Sequence, residues 1–410
     1  MQKIIGPFSQ IITLRNLDLR GSLSDEDLEI LENQAILIEN GLIKNFGKLD
    51  DLKSKNPNAE IEFIARPSTL LPAFIDCHTH ICFAGSRSLD YTLRMQGKSY
   101  LEIAQSGGGI MSSVNAVRQT SIETLADLTA SRAQRHLREG VATIEVKSGY
   151  GLDVENELKM LKAIKLAQSK TNANLIATCL AAHIKPRDFG GSNKDYLQYI
   201  LDELLPLVKK ENLAKRIDIF VEKTAFNEEE ARFYLKEMQK LGFEITIHAD
   251  QFTTSGSRLA VEFQALSADH LEVSGNEEIN FLAKSNVACV ALPNASYGLG
   301  IYEMMPARKL LDAGAILAIA SDWNPGSAPM GDLLCGAALF AMKEKLNSAE
   351  TFAALTFRAA KALNLENQGR LQENFAANMQ AYECNDFREI LYHQGKLKPS
   401  LVWINGEKIN

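Results

Sequence analysis

The chain has 410 residues, 46% hydrophobic and 23% charged, with 44 Lys and Arg against 51 Asp and Glu and a net charge of −7. This composition is that of a globular protein, and the length predicts roughly two to three domains or one large barrel with an accessory unit. The mild acidity and the lack of a long basic run exclude a nucleic-acid binder, and no apolar stretch is long enough to span a membrane. Six scattered cysteines (Cys77, Cys82, Cys179, Cys289, Cys335, Cys384) form no C-x-x-C pair and read as small buried hydrophobes in a reducing cytosol. The start, MQKIIGPFSQ, lacks the apolar core of a signal peptide, so a cytoplasmic location is expected.

Residues 1–66 carry short β-type segments. Ala35 to Phe46 reads as a hairpin, because Asn40-Gly41 tolerates the positive φ of a type I′ turn. Asp25–Glu32 reads as an acidic surface insertion and Asp50–Ala59 as a loop. Ser400 to Ile409 repeats the strand pattern around Asn405-Gly406, and both chain ends are expected to pair into one small β domain.

Between them the pattern becomes strand, loop, helix. The expected strands are Leu70–Asp76, Val141–Val146, Leu175–Leu180, Ile217–Val221, Phe243–Ile247, Ala265–Ala268, Val287–Leu292 and Ala315–Ala320. Thr120–Glu139, with Thr120 and Glu123 as a capping box and Gly140 as the stop, is an amphipathic helix. Glu155–Gln168, Glu228–Leu241 and Tyr302–Ala313 behave similarly. The fold class expected is α/β, a (β/α)8 TIM-like barrel with a small β-sandwich domain built from both chain ends. The boundaries are 1–66 and 366–410 for the β domain and 67–365 for the barrel. An open doubly wound sheet would place a Gly-rich phosphate loop after its first strand, where this chain has His78 and His80.

In such a barrel the chemistry sits at the carboxyl ends of the strands. The first is followed by Asp76-Cys77-His78-Thr79-His80 and then Arg87, and the second by Lys147-Ser148-Gly149-Tyr150. The third leads to His183, the fourth to Glu222-Lys223, the fifth to His248 and Gln251, the sixth to Asp269-His270. The seventh gives Pro293-Asn294 and the eighth Asp322, Asn324, Gly326 and Ser327. Five of seven histidines fall at this rim; His136 and His393 read as surface residues. His78, His80, His248 and Asp322 supply three imidazoles and a carboxylate, a ligand set for zinc or iron. Bound water acidified there becomes the nucleophile, with Asp322 able to accept its proton and His270 able to polarise a carbonyl.

Gln251, three residues after His248, stands where barrel deaminases often carry a Glu, and an amide cannot shuttle protons at neutral pH. Lys223 is a position for a carboxylated bridging lysine, but one metal is expected rather than two. Arg87 suits a substrate carboxylate. Tyr100, Tyr150 and His183 suit a flat heterocycle, and Gly107-Gly108-Gly109 a close backbone approach. The turn Asn324, Gly326, Ser327 offers backbone N–H groups to an anion.

These motifs resemble the imidazolonepropionase family of the amidohydrolase superfamily nearly end to end. The resemblance is carried by Asp76-Cys77-His78-Thr79-His80, Phe83-Ala84-Gly85-Ser86-Arg87, Gly107-Gly108-Gly109-Ile110, Glu145-Val146-Lys147-Ser148-Gly149-Tyr150-Gly151, His248-Ala249-Asp250, Ala268-Asp269-His270 and Asp322-Trp323-Asn324-Pro325-Gly326-Ser327. It implies hydrolysis of the ring amide of 4-imidazolone-5-propanoate to N-formimidoyl-L-glutamate in histidine degradation, by a metal-bound hydroxide. It implies one zinc or iron ion per subunit on His78, His80, His248 and Asp322, and a homodimer. It implies substrate contacts from Arg87, Tyr100, Tyr150, His183, Gln251, Asn324, Gly326 and Ser327, with proton work at Asp322, His270 or Gln251. Gln251 and Leu292-Pro293-Asn294-Ala295-Ser296 depart from the commoner family pattern, the second at the pocket wall. A deaminase or another cyclic-amide hydrolase of the same superfamily is the alternative, and a non-enzymatic binding barrel the third reading.

Overall fold

The computed structural model describes residues 2–98, 102–103 and 107–409. Its first strands are β1 (Gln2–Ile12), β2 (Ile30–Glu39), β3 (Leu42–Gly47), β4 (Glu60–Phe63) and β5 (Thr69–Pro72). Eight more follow: β6 (Phe74–Asp76), β7 (Val141–Lys147), β8 (Asn174–Ala182), β9 (Arg216–Phe220), β10 (Glu244–Ala249), β11 (Ser267–His270), β12 (Ala288–Ala291) and β13 (Ile316–Ile319). The chain ends with β14 (Met379–Tyr382), β15 (Leu401–Ile404) and β16 (Glu407–Lys408).

Both chain ends build one sheet, in the order β16-β15-β14-β5-β1-β2-β3, with β4 on β1. Its apolar face buries Ile5, Phe8, Ile11, Ile36, Leu70 and Trp403, with Phe8 edge-on to Trp403 at 6.1 Å. The hairpin reading holds, with φ of 53° at Asn40 and 80° at Gly41, and so does the terminal Asn405-Gly406 turn, at 49° and 76°. Asp25–Asp27 is exposed, as expected of a surface segment, and Ile30–Glu32 already belongs to β2. A short 3-10 turn (Asp25–Asp27) leads into β2, and Asp25 accepts from the Ala349 N–H at 2.7 Å, tying the sheet to the barrel. Asp50–Ala59 is not all loop either, since Leu49–Lys55 is helical and buries Leu52.

The eight expected parallel strands are present, ordered β6 to β13 with each paired to its sequence neighbour. Leu70–Asp76 divides: its first half is β5 in the terminal sheet and its second half is β6, the first barrel strand. The run is apolar throughout because both sheets bury it. The barrel closes beyond the strand ends. The Asp322 N–H donates to the His78 carbonyl and the His80 N–H to the Trp323 carbonyl, each at 3.0 Å. The seam of the barrel is therefore also the segment that carries three of the four expected ligands.

The helix expected from Thr120 spans Ile122–Arg138 and is capped by Ser121, whose hydroxyl accepts from the Thr124 N–H. The one expected over Tyr302–Ala313 is helical only over Ala307–Asp312. His136 is not a surface residue. The face that buries Thr129 and Ala133 buries it completely, with Nε2 3.0 Å from Asp76 Oδ2. His393 is exposed as expected. All six cysteines are free, four of them buried, and no helix among the described residues is long and apolar enough to cross a membrane.

Candidate active site

Side chains alternate along a strand, so each barrel strand sends every second residue inward. Past β6 this brings His78 and His80 to the rim, and on β10 it brings His248. The His78 ring lies 4.5 Å from His248 and 5.3 Å from His80, centroid to centroid. One nitrogen from each of the three histidines lies within 4.8 Å of the others, and all three side chains are buried. Asp322 Oδ1 lies beside the group, 3.5 Å from His78 Nε2 and 3.3 Å from His80 Nε2. Ligand atoms at zinc-bond length on a tetrahedron are about 3.3 Å apart, which the Asp322–His78 and Asp322–His80 spacings match, and the three imidazoles converge closely enough to hold an ion. His78 Nε2 is moreover buried without a hydrogen-bond partner among the described residues.

The opposite ring nitrogens are held by carboxylates. His78 Nδ1 is 2.6 Å from Asp269 Oδ2, and His248 Nδ1 is 2.9 Å from Asp218 Oδ2. The hydrogen bond to Asp269 fixes the proton on His78 Nδ1 and leaves its Nε2 lone pair facing the centre, and Asp218 stands in ion-pair contact with His248 Nδ1. Burial lowers the pKa of His80 to about 4 and also depresses His248, which keeps both in the neutral, ligating form. Burial and Lys147 depress His78 too, but Asp269 and Asp322 override them and raise it to about 9, so a proton competes with a cation for that nitrogen. Burial alone would raise the Asp322 carboxyl; His78 and His80 outweigh it and hold Asp322 well below the ordinary range, ionised.

Beneath these residues lies a layer that the motif reading did not assign. Lys147 is buried among Glu145, Asp218 and Asp269, and the three carboxylates raise its pKa against the desolvation that would lower it. The signal was present in the sequence: charged residues at inward positions of otherwise apolar strands, as in Ile217-Asp218-Ile219 and Val141–Lys147.

Above the ligands opens a cavity of about 790 Å³ lined by His80, Arg87, Tyr150, His183, His248, Gln251, His270, Asp322, Asn324, Gly326 and Ser327. The expected site residues thus meet at one place. His78 lies below the cavity wall, and Tyr100 falls outside the described residues. Ile110, Ile184, Phe220 and Phe252 supply apolar wall. Lys223 is exposed at the mouth, unlike the buried ligand group. Asn294 is turned away, donating to the Asp332 carbonyl at 3.2 Å, and does not line the cavity.

Arg87 is fixed by Asp90, whose Oδ2 lies 2.8 Å from Nε, and Asp90 also accepts from the Gly109 N–H at 2.9 Å. Asp90 therefore joins the arginine to the glycine loop, a link that no motif announced. Gly326 packs against the guanidinium so closely that a Cβ would collide with it. His183 sets its Nδ1 3.0 Å from the Gly149 carbonyl and stacks on His80, 5.6 Å between centroids. Burial lowers its pKa, and burial raises that of the Tyr150 phenol, so both are neutral. His270 Nδ1 is anchored 3.1 Å from Glu272.

The turn after β13 is not an anion cradle. The Gly326 and Ser327 N–H groups both donate to Asn324 Oδ1 at 2.8 Å, so they are spent within the turn. Asn324 Nδ2 in turn donates to Asp322 Oδ2 at 2.9 Å and aims that carboxylate. Positive φ values occur at Asp250 (53°), His270 (88°), Leu271 (66°) and Asp322 (49°). Such conformations cost on the order of 1–3 kcal/mol each and gather at functional sites.

Residues 69–409 match the Amidohydrolase family. The chain is 39% identical over 392 residues to an imidazolonepropionase of Bdellovibrio bacteriovorus, covering 94% of this chain and 91% of that one. It is 38% identical over 384 residues to one of Pseudoalteromonas atlantica, covering 92% and 93%. Among solved structures it resembles a zinc-bound adenosine deaminase of Xanthomonas campestris (TM-score 0.70, 17% identity, 99% and 92% covered). It also resembles a guanine deaminase of C. acetobutylicum (TM-score 0.73, 15% identity, both chains fully covered). At these identities the structural likeness concerns the fold.

Proposed function

We propose, for a chain that belongs to the amidohydrolase family and within it to the imidazolonepropionases, hydrolysis of the ring amide C–N bond of 4-imidazolone-5-propanoate to N-formimidoyl-L-glutamate, a step of histidine degradation. The observation that carries this reading is the meeting of His80, His248 and Asp322 with a fixed guanidinium, Arg87, in one cavity. The first group suits a carbonyl under attack by water, and the second suits a propionate tail.

His78, His80, His248 and Asp322 would hold one zinc or iron ion, which when bound supplies Lewis-acid activation of water. Arg87 donates its outer guanidinium nitrogens to the propionate carboxylate while Asp90 holds its Nε. His183, its Nδ1–H on the Gly149 carbonyl, offers Nε2 as an acceptor to a ring N–H, and Tyr150 donates its phenol proton. Asp322 takes the proton of the attacking water and returns it to the departing ring nitrogen, with Asn324 keeping the carboxylate aimed. His270, seated on Glu272, presents its other nitrogen to the substrate carbonyl. Ser327 and Tyr100 belong to the substrate-contacting set, and Gly326 leaves room for Arg87.

Gln251 hydrogen-bonds the substrate but carries no proton at neutral pH. Ring opening keeps the cleaved nitrogen in the product, so it needs no carrier to protonate departing ammonia. This favours ring opening over deamination. The same reading makes the protein a cytoplasmic homodimer, with a barrel over 67–365 apart from β5 (Thr69–Pro72), which joins 1–66 and 366–410 in the β domain.

The test is product analysis. Metal-loaded protein should consume 4-imidazolone-5-propanoate and form N-formimidoyl-L-glutamate without ammonia. Ammonia released in step with turnover would replace this reading with a deaminase.

A further inference from the structure

Lys147 occupies an unusual place. Its side chain is 1% exposed and absent from the cavity lining, so it cannot touch a substrate there. Its Nζ lies 2.9 Å from Asp218 Oδ2, 3.0 Å from Glu145 Oε1 and 3.9 Å from Asp269 Oδ2, and all three carboxylates are buried. Each carboxylate reaches on to a different part of the ligand group. Asp218 lies against His248 Nδ1 at 2.9 Å and Asp269 against His78 Nδ1 at 2.6 Å. Glu145 accepts from the N–H of Thr79, the residue between His78 and His80, at 3.1 Å. The Lys147 N–H itself donates to the Thr79 carbonyl at 3.0 Å.

We propose that Lys147 is a positioning residue for the metal centre: one buried ammonium, by holding Glu145, Asp218 and Asp269 in a single layer, orients all three ligand histidines. Three carboxylates confined together in a low-dielectric interior repel one another, and a buried charge persists only when paired. Without the cation they must separate or turn, and each displacement moves a ligand. Groups standing behind metal ligands typically govern affinity by ten- to a hundredfold. The inference rests on the metal-centre reading of His78, His80, His248 and Asp322 and is independent of which substrate the cavity takes.

The test compares the parent with Lys147→Met, which keeps the chain length and removes the charge. Three measurements are made: zinc affinity by competition with a chromogenic chelator, the visible spectrum of the cobalt(II) protein, and the Tm of the metal-free protein as a report on folding. The expected result is a zinc Kd raised about ten- to a hundredfold together with an altered cobalt spectrum. A folded Lys147→Met protein with the parental Kd and the parental cobalt spectrum overturns the inference, whatever its Tm. If Lys147→Met does not fold, Asp218→Asn, which preserves shape and cuts the route to His248, must show the weakened zinc binding; parental affinity in that variant is likewise contradictory. A parent that binds no zinc would remove the metal-centre reading and this inference with it. A parent that binds while the variants bind equally removes only the inference.

Discussion

The floor and the mouth of the barrel site use similar side chains under opposite conditions. On the floor, Glu145, Lys147, Asp218 and Asp269 are buried, and each charge lies within ion-pair reach of another. At the mouth, Arg87, Gln251 and His270 each face a roomy cavity. Among the described residues Arg87 has only its Nε committed, to Asp90. Charges paired with one another beneath a cavity can hold a structure but do not reach a ligand; groups with open valences at its wall can act on one. Asp322 sits at the junction, with Oδ1 toward the histidines and Oδ2 toward Asn324. Burial beside a carboxylate does not by itself make a metal site. His136 and Asp76 form an equally buried pair, yet among the described residues no three ligand atoms converge there, Glu139 lying against the other ring nitrogen.

The comparison can be tested at its junction first. Asp322→Asn keeps the shape but removes both the proposed ligand charge and the proposed proton carrier. A kcat loss of roughly 10²–10⁴-fold is expected, together with weaker zinc binding; steady-state kinetics at saturating zinc should show the kcat loss surviving. An unchanged kcat would move the proton work to another residue.

A mouth residue should behave differently. Arg87→Met removes a charge-assisted contact worth about 1.5–3 kcal/mol, so KM for the propionate-bearing substrate should rise roughly ten- to a hundredfold while zinc affinity stays parental. Equal loss of zinc affinity would erase the distinction between mouth and floor.

The smallest effect is expected away from both. Burial lowers the pKa of His136, but Asp76 and Glu139 outweigh it and raise the folded-state value above the ordinary one. The stability this pair contributes is therefore fully present below the unfolded pKa of about 6.5 and is lost as pH rises through the folded value. Urea unfolding of the parent and of His136→Gln should differ most below pH ~6.5 and converge above the raised pKa. A pH-independent difference would mean that His136 acts through packing alone.

Much of this was legible in the sequence, for a physical reason. The eight barrel strands stand out because their outward faces are buried under helices, which makes short apolar runs. The rim is legible because a barrel places its chemistry after those runs, and His78, His80, His248 and Asp322 all follow them. The floor was hidden by the same habit: reading for apolar residues passes over Asp218 and Glu145, which face inward on alternate positions. Leu70–Asp76 reads as one strand because hydropathy does not record that two different sheets bury its halves. His136 lies on the buried stripe with Thr129 and Ala133, a spacing visible in the sequence, but a histidine is by habit assigned to the surface. The spent N–H groups of Gly326 and Ser327 needed coordinates, since only side-chain geometry shows that Asn324 takes both.

The most direct measurement of the central claim is a metal titration of turnover. Metal-free protein is given increasing zinc or iron, and the loss of 4-imidazolone-5-propanoate absorbance is followed with ammonia measured in parallel. No turnover without metal, full activity at one ion per chain and no ammonia throughout are expected. Turnover by metal-free protein, or a requirement for two ions, would contradict a single site built from His78, His80, His248 and Asp322.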